Sequence, residues 1–186
     1  MLRALLLLVL LLSSHVDAGE PPTAPVLRID PGEHTAKIGR IASDAAGRWL
    51  VSASDDKTAR VWEVKDGRLL ATLRPPLGAG DEGKLFAVAL SPDGGMVALG
   101  GWTGYEWDKS HSIFLFDRGS GRLLRRITGL PNVVNHLAFS PDGRTLAASL
   151  GDKNGVRLFN VVDGRLLGED RDYGGASSLS DLIFVK

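Results

Sequence analysis

Short runs rich in Val, Ile, Leu, Phe and Trp recur along the chain between polar turns built on Pro-Asp-Gly (92–94 and 141–143), Asp-Gly (66–67 and 163–164) and Asn-Gly (154–155). Turns of these types supply the positive φ that a tight hairpin needs, so the pattern predicts antiparallel strands in succession. For the first unit the strands are predicted near 38–43, 49–54, 59–64 and 68–73. Several runs, such as FAVAL (86–90) and VVNHLAF (133–139), are apolar at most positions instead of alternating. A strand of that kind is covered on both faces, as in a small sheet sandwiched between two neighbours.

The chain also repeats. ASDAAGRWLVSAS (42–54), ALSPDGGMVALGG (89–101) and AFSPDGRTLAASL (138–150) share a frame in which Gly47, Gly94 and Gly143 are equivalent, 47 and 49 residues apart. A second frame follows each: VWEVKDGRLLATL (61–73), LFDRGSGRLLRRI (115–127) and LFNVVDGRLLGED (158–170), aligned on Gly67, Gly121 and Gly164. A period of this size, with strand–turn–strand units and doubly covered strands, predicts an all-β fold, a β-propeller of four-stranded antiparallel blades. The units divide as blade 1 (31–76), blade 2 (77–130) and blade 3 (131–173), with the first strand of a fourth blade in 174–186.

Blade 1 carries His34, Ser52, Asp56 and Val61-Trp62, with SDDKTARVWE between, and in this it closely resembles a WD-repeat. The match is inexact: Glu33-His34 stands for the usual Gly-His, and Trp-Asp becomes Trp62-Glu63, Phe116-Asp117 and Phe159-Asn160. Asp81 and Leu99 in blade 2, and Leu130 and Ala148 in blade 3, match His34 and Ser52, while Asp152 still matches Asp56. The resemblance implies a structural hydrogen-bond network from the Trp62 indole through Ser52 and His34 to Asp56. A buried indole N–H needs an acceptor, and a chain of partners ending on a charge satisfies every member. Ser, His and Asp together also raise the question of a hydrolase. However, Ser52 lies inside a strand, with no Gly-x-Ser-x-Gly context, so the network is expected to be structural and the chain non-catalytic.

One segment breaks the repeat. Leu99 to Phe116 spans 17 residues where Ser52 to Trp62 spans 10, and the insertion WTGYEWDKSH (102–111) holds half of the chain's tryptophans. Aromatic side chains on an inserted loop are good binding anchors. Trp102, Tyr105, Trp107 and His111 therefore form the candidate partner-binding loop, for a protein or peptide partner.

Other chemistry is excluded or redirected by composition. The 186 residues have no net charge, which implies neither a nucleic-acid partner nor an acidic membrane surface. The cluster Arg122, Arg125 and Arg126 is expected to be a solvated strand edge. His15, His34, His111 and His136 fall at no metal-ligand spacing, and Asp55-Asp56-Lys57 and Asp152-Lys153-Asn154-Gly155 read as hairpin turns, so no metal and no cofactor is expected.

The beginning of the chain differs from the rest. Met1-Leu2-Arg3, the apolar run Ala4 to Leu12 and Val16-Asp17-Ala18 form a signal peptide (1–18) with cleavage expected after Ala18, which places the protein in the secreted or periplasmic space. The apolar run is far short of the ~20 residues of a spanning helix, so no membrane span is expected after cleavage. The chain has no cysteine, so its stability comes from packing alone. After a linker (19–25), residues 26–30 form a candidate ring-closing strand. Three blades and one further strand cannot close a ring, which leads to the expectation of a fragment of a larger propeller. EGKLFAVALSPDGGMVALGGWTG (82–104) is similar to bacterial WD-repeat proteins, some of which join a propeller to a caspase-like peptidase domain. The resemblance thus implies an interaction scaffold, with the recognition part of a larger enzyme or a ligand-binding periplasmic propeller as alternatives.

Overall fold

The structure is a computed structural model in which residues 30–171 and residue 184 are described. The signal peptide, the linker, Val26 to Ile29 of the candidate closing strand, and all of 174–186 except Phe184 lie outside the described residues. Among the described residues the chain forms three four-stranded antiparallel sheets, each meandering in sequence order, so that the architecture is three blades of a β-propeller. Blade 1 comprises β1 (Ile38–Ser43), β2 (Trp49–Ser54), β3 (Ala59–Glu63) and β4 (Leu69–Leu73). Blade 2 comprises β5 (Lys84–Leu90), β6 (Met96–Trp102), β7 (His111–Asp117) and β8 (Leu123–Leu130), with a short helix α1 (Tyr105–Asp108) between β6 and β7. Blade 3 comprises β9 (Val134–Phe139), β10 (Thr145–Leu150), β11 (Val156–Asn160) and β12 (Leu166–Asp170).

Register explains how one sequence pattern serves two faces. Ser52 lies opposite Arg60 and Val51 opposite Val61, so alternate pairs point to opposite sides of the sheet. Val51, Ala53, Ala59, Val61 and Leu73 of blade 1 meet Val88, Leu99, Phe114 and Phe116 of blade 2 in one apolar core. Ala87, Ala98, Ile113 and Leu115 on the other face of blade 2 meet Leu137, Leu146, Ala148 and Phe159 of blade 3 in a second. Blade 2 is therefore covered on both faces, as its unbroken apolar runs require. The first strands form the inner contacts, β5 lying against β1 and β2, and β9 against β5 and β6.

The two repeated glycine frames are two kinds of turn. Gly67, Gly121 and Gly164 have φ of 70°, 68° and 74°. Each donates its N–H back to Glu63, Asp117 or Asn160, and the ladder shifts register beside each of these turns, the pattern of a turn closed by a glycine bulge. The other frame closes the first hairpin of each blade, and of its three glycines only Gly94 also serves packing, since a Cβ on Gly47 would meet nothing within 4 Å. A Cβ on Gly94 would stand 2.3 Å from Cε3 of Trp49 of the preceding blade, whereas one on Gly143 would meet nothing nearer than Pro92 Cδ at 3.6 Å.

Arg122 is exposed, as expected of a solvated strand edge, but Arg125 and Arg126 are half-buried. Arg125 donates to the carbonyls of Val162 (2.5 Å) and Asp163 (3.0 Å) in blade 3, and Arg126 pairs with Asp108 of α1. Their long stems reach over the outer strand, so two of the three brace neighbouring segments.

Gly94→Ala and Gly143→Ala share a left-handed backbone, with φ of 73° and 71°, so each should lose about 1–2 kcal/mol from that strain. Only Gly94→Ala must also displace the Trp49 ring, adding about 1–3 kcal/mol of overpacking. Chemical denaturation of the two variants checks this; equal losses would contradict the inter-blade role of Gly94.

Candidate functional site

Two constellations stand at the end of the sheets that carries the β2–β3 and β6–β7 connections. In the first, the Trp62 indole N–H donates to Ser52 Oγ at 2.9 Å, Ser52 Oγ lies 2.8 Å from His34 Nε2, and His34 Nδ1 lies 2.8 Å from Asp56 Oδ2. One assignment of hydrogens satisfies all four: the Ser52 hydroxyl donates to Nε2, and Nδ1–H donates to the carboxylate. The backbone builds the same corner, because Asp56 also accepts from the Thr35 amide (3.1 Å), the Thr58 amide (2.9 Å) and the Thr58 hydroxyl (2.6 Å). Burial pushes the Asp56 carboxyl up, but the hydrogen bonds from Thr58, His34 and Thr35 outweigh it and hold its pKa below the ordinary value.

The order Asp–His–Ser is that of a hydrolytic relay, and the surroundings are not. Ser52 is 3% exposed, and its oxygen already accepts the indole N–H, so no substrate carbonyl can approach it. In blades 2 and 3 the polar network gives way to packing. Leu99, Phe116, Leu130, Ala148 and Phe159 are all buried in the two apolar cores, while Asp81 pairs with Lys84 at 2.7 Å and Asp152 accepts from Asn132 at 2.7 Å. Among the described residues no group of three or more His, Asp or Glu side chains could hold a metal ion. No helix among them is long and apolar enough to cross a membrane.

The second constellation is the insertion, which is an ordered ledge instead of an open loop. Trp102 ends β6, α1 makes one turn, and His111 begins β7. The four candidate residues divide in two. Trp102 and Tyr105 are 36% and 44% exposed, whereas Trp107 and His111 are 8% and 4% exposed and are not offered to a partner. Their burial follows from the helical turn, which directs Trp107 inward, and from the position of His111 within the β7 ladder. The His111 ring packs under the other two, 5.2 Å from Trp102 edge-on and 5.4 Å from Tyr105 nearly stacked, while Trp102 and Tyr105 lie 6.0 Å apart. Desolvation lowers the His111 pKa, so the imidazole that supports the rings is neutral near pH 7.

The sequence reading missed what holds this ledge. Glu82, almost fully buried, accepts the Gly104 amide at 2.5 Å and the Glu106 amide at 3.2 Å, tying the start of α1 to the connection before β5. Thr103 Oγ1 donates to the Ser112 carbonyl at 2.6 Å, and the Gly129 amide donates to Ser110 Oγ at 3.2 Å. In the string GDEGK nothing distinguishes Glu82 from an ordinary turn residue; its one signal is that it precedes the blade that bears the insertion.

Comparison with known proteins places the chain. The family model described as "WD domain, G-beta repeat" matches residues 27–63 and 121–160. The chain belongs to the WD-repeat β-propeller family. A WD repeat-containing protein SL1-17 of Schistosoma mansoni is 29% identical over 167 residues, covering 70% of this chain and 54% of that protein. Small ribosomal subunit protein RACK1y of Oryza sativa is 31% identical over 130 residues, covering 69% and 34%. A ribosome biogenesis protein BOP1 homolog of Monosiga brevicollis is 53% identical over 47 residues, covering 25% and 6%. This WD-repeat chain thus spans about half or less of the length of these relatives. Among solved structures, hydrazine synthase of Kuenenia stuttgartiensis superposes with a TM-score of 0.58 at 14% identity, covering 76% of this chain and 39% of that one, a likeness of fold alone.

Ser52→Ala leaves the indole N–H and the imidazole without their shared partner and should cost about 1–3 kcal/mol in denaturant unfolding. A loss below 0.5 kcal/mol, on the order of an ordinary surface substitution, would contradict a structural role for the network. For the ledge, NMR titration of the His111 imidazole should give a pKa below the ordinary ~6.5. A value at or above it would show that the ring is not desolvated beneath Trp102 and Tyr105.

Proposed function

We propose that this WD-repeat chain is a non-catalytic scaffold that acts outside the cytoplasm and binds a protein or peptide partner on the ledge formed by Trp102 and Tyr105. The observation that carries the reading is the division of the insertion. Two rings face solvent while a third ring, a buried carboxylate and a short helix hold them in place. An exposed ring already fixed in one position has little entropy left to lose on binding, the property of an interface anchor. Propellers named for the small ribosomal subunit and for ribosome biogenesis are among the relatives, which supports service within a protein assembly. The positive start and the apolar run Ala4 to Leu12 support export.

Trp102→Ala/Tyr105→Ala should weaken binding of a partner recovered by crosslinking in the exported fraction by about 100-fold, as expected for two anchor rings. The fold should be retained and the melting temperature should fall by only a few degrees, because the two rings are partly exposed and their loss uncovers the His111 ring alone. Unaltered affinity would overturn the ledge as the binding surface, and an uncleaved chain retained in the cytoplasm would overturn its location.

A further inference from the structure

At the opposite end of the sheets, where the β1–β2 and β3–β4 turns and their counterparts lie, the two blade junctions differ. Between blades 1 and 2 the space is filled. The Trp49 ring lies against Gly94, the guanidinium of Arg118 stands 3.8 Å from its centroid, and that of Arg48 stands 4.1 Å away. Arg118 Nε also donates to the Gly94 carbonyl at 2.5 Å. At this junction the repeat thus seats a planar cation of one blade against the aromatic ring of its neighbour.

Between blades 2 and 3 the repeat places Met96 where Trp49 stands, Val161 where Arg118 stands, Gly95 where Arg48 stands and Gly143 where Gly94 stands. A groove of about 470 Å³ results, with Met96, Leu124 and Val161 as its apolar surface and Asp93, Asp117 and Asp142 around it. Each carboxylate uses Oδ1 to close its own turn: Asp93 with Ser91 and Gly95, Asp117 with Ser120, and Asp142 with Ser140 and Arg144. Oδ2 of each is left without a hydrogen bond among the described residues. Those same hydrogen bonds hold all three carboxyls below their ordinary pKa, so they are anionic at neutral pH. Arg118, Arg122, Arg144 and Arg48, which donates to the Asp93 carbonyl at 3.3 Å, are neighbouring cations, and none of them lines the groove.

We propose that the groove between blades 2 and 3 is a docking site for an arginine side chain of a protein partner, which takes the place that Arg118 occupies at the filled junction. The apolar surface receives the stem and the plane of the guanidinium, and the free carboxylate oxygens receive its fork of N–H donors. The site is independent of the aromatic ledge, which lies at the other end of the sheets.

The test is an NMR titration of the full 186-residue chain with a blocked Gly-Arg-Gly peptide. Amide shifts are expected at Met96, Gly143 and Val161, with binding at least ~10-fold weaker for the isosteric, uncharged citrulline peptide, since a charged fork is the recognised feature. Asp93→Asn/Asp142→Asn keeps the turn-closing oxygens and should weaken binding by a similar factor. Met96→Trp/Val161→Arg refills the groove and should abolish it, and this second variant serves if the first loses its dispersed spectrum. Absence of shifts at those amides, equal binding of the citrulline or the corresponding lysine peptide, or full binding to the refilled variant would overturn the proposal. Loss of partner binding at the ledge would leave this titration unaffected, so the two readings fail separately.

Discussion

A four-stranded sheet that is apolar on both faces must be covered on both, and this constraint organises the rest of the molecule. Blade 2 meets it fully, with Leu99, Phe114 and Phe116 on one face and Ile113 and Leu115 on the other, all deeply buried. Each such side chain contributes about 1.5–3 kcal/mol relative to exposure, against about 0.5–1.5 kcal/mol net for a typical hydrogen bond. Because the cores run through the middle of the strands, the connections at either end are relieved of holding the fold together. They can then carry an inserted helix at one end and an unfilled junction at the other.

The same constraint explains why the polar network appears in one blade only. Ser52, His34 and Trp62 hold blade 1 through directional bonds, whereas Leu99, Phe116, Leu130, Ala148 and Phe159 at equivalent positions pack in the cores between neighbours, and Asp81, the blade 2 counterpart of His34, is solvent-exposed and paired with Lys84. Both arrangements leave no buried polar group unsatisfied at these positions, one by pairing and the other by having none. Departures from the repeat that are apolar thus preserve the scaffold. Departures that expose rings, or that leave a space ringed by carboxylates, do not serve packing and are the places to seek partners.

The blades were legible in the sequence because glycine-containing turns and doubly apolar strands leave few ways to fold. The strands of blade 1 lie within a residue of the spans that pattern predicts. The insertion was legible as a break in spacing, but its fate was not. Trp107 goes in because of a single helical turn, and that turn is tied to a buried carboxylate from another connection, a long-range contact that no local pattern carries. Likewise, Arg125 and Arg126 looked like surface charge because their acceptors, carbonyls at 162 and 163 and the carboxylate of Asp108, are distant in sequence.

The central claim is that a doubly covered blade 2 holds the aromatic ledge rigid before any partner arrives. Native-state amide hydrogen exchange tests it most directly. The amides of β6 and β7 should be the most protected in the chain, and those of Gly104 and Glu106, bonded to Glu82, should exchange with them as one unit. If Gly104 and Glu106 exchange freely while β6 and β7 stay protected, the ledge is a loose loop, and the account of a preformed binding surface is wrong.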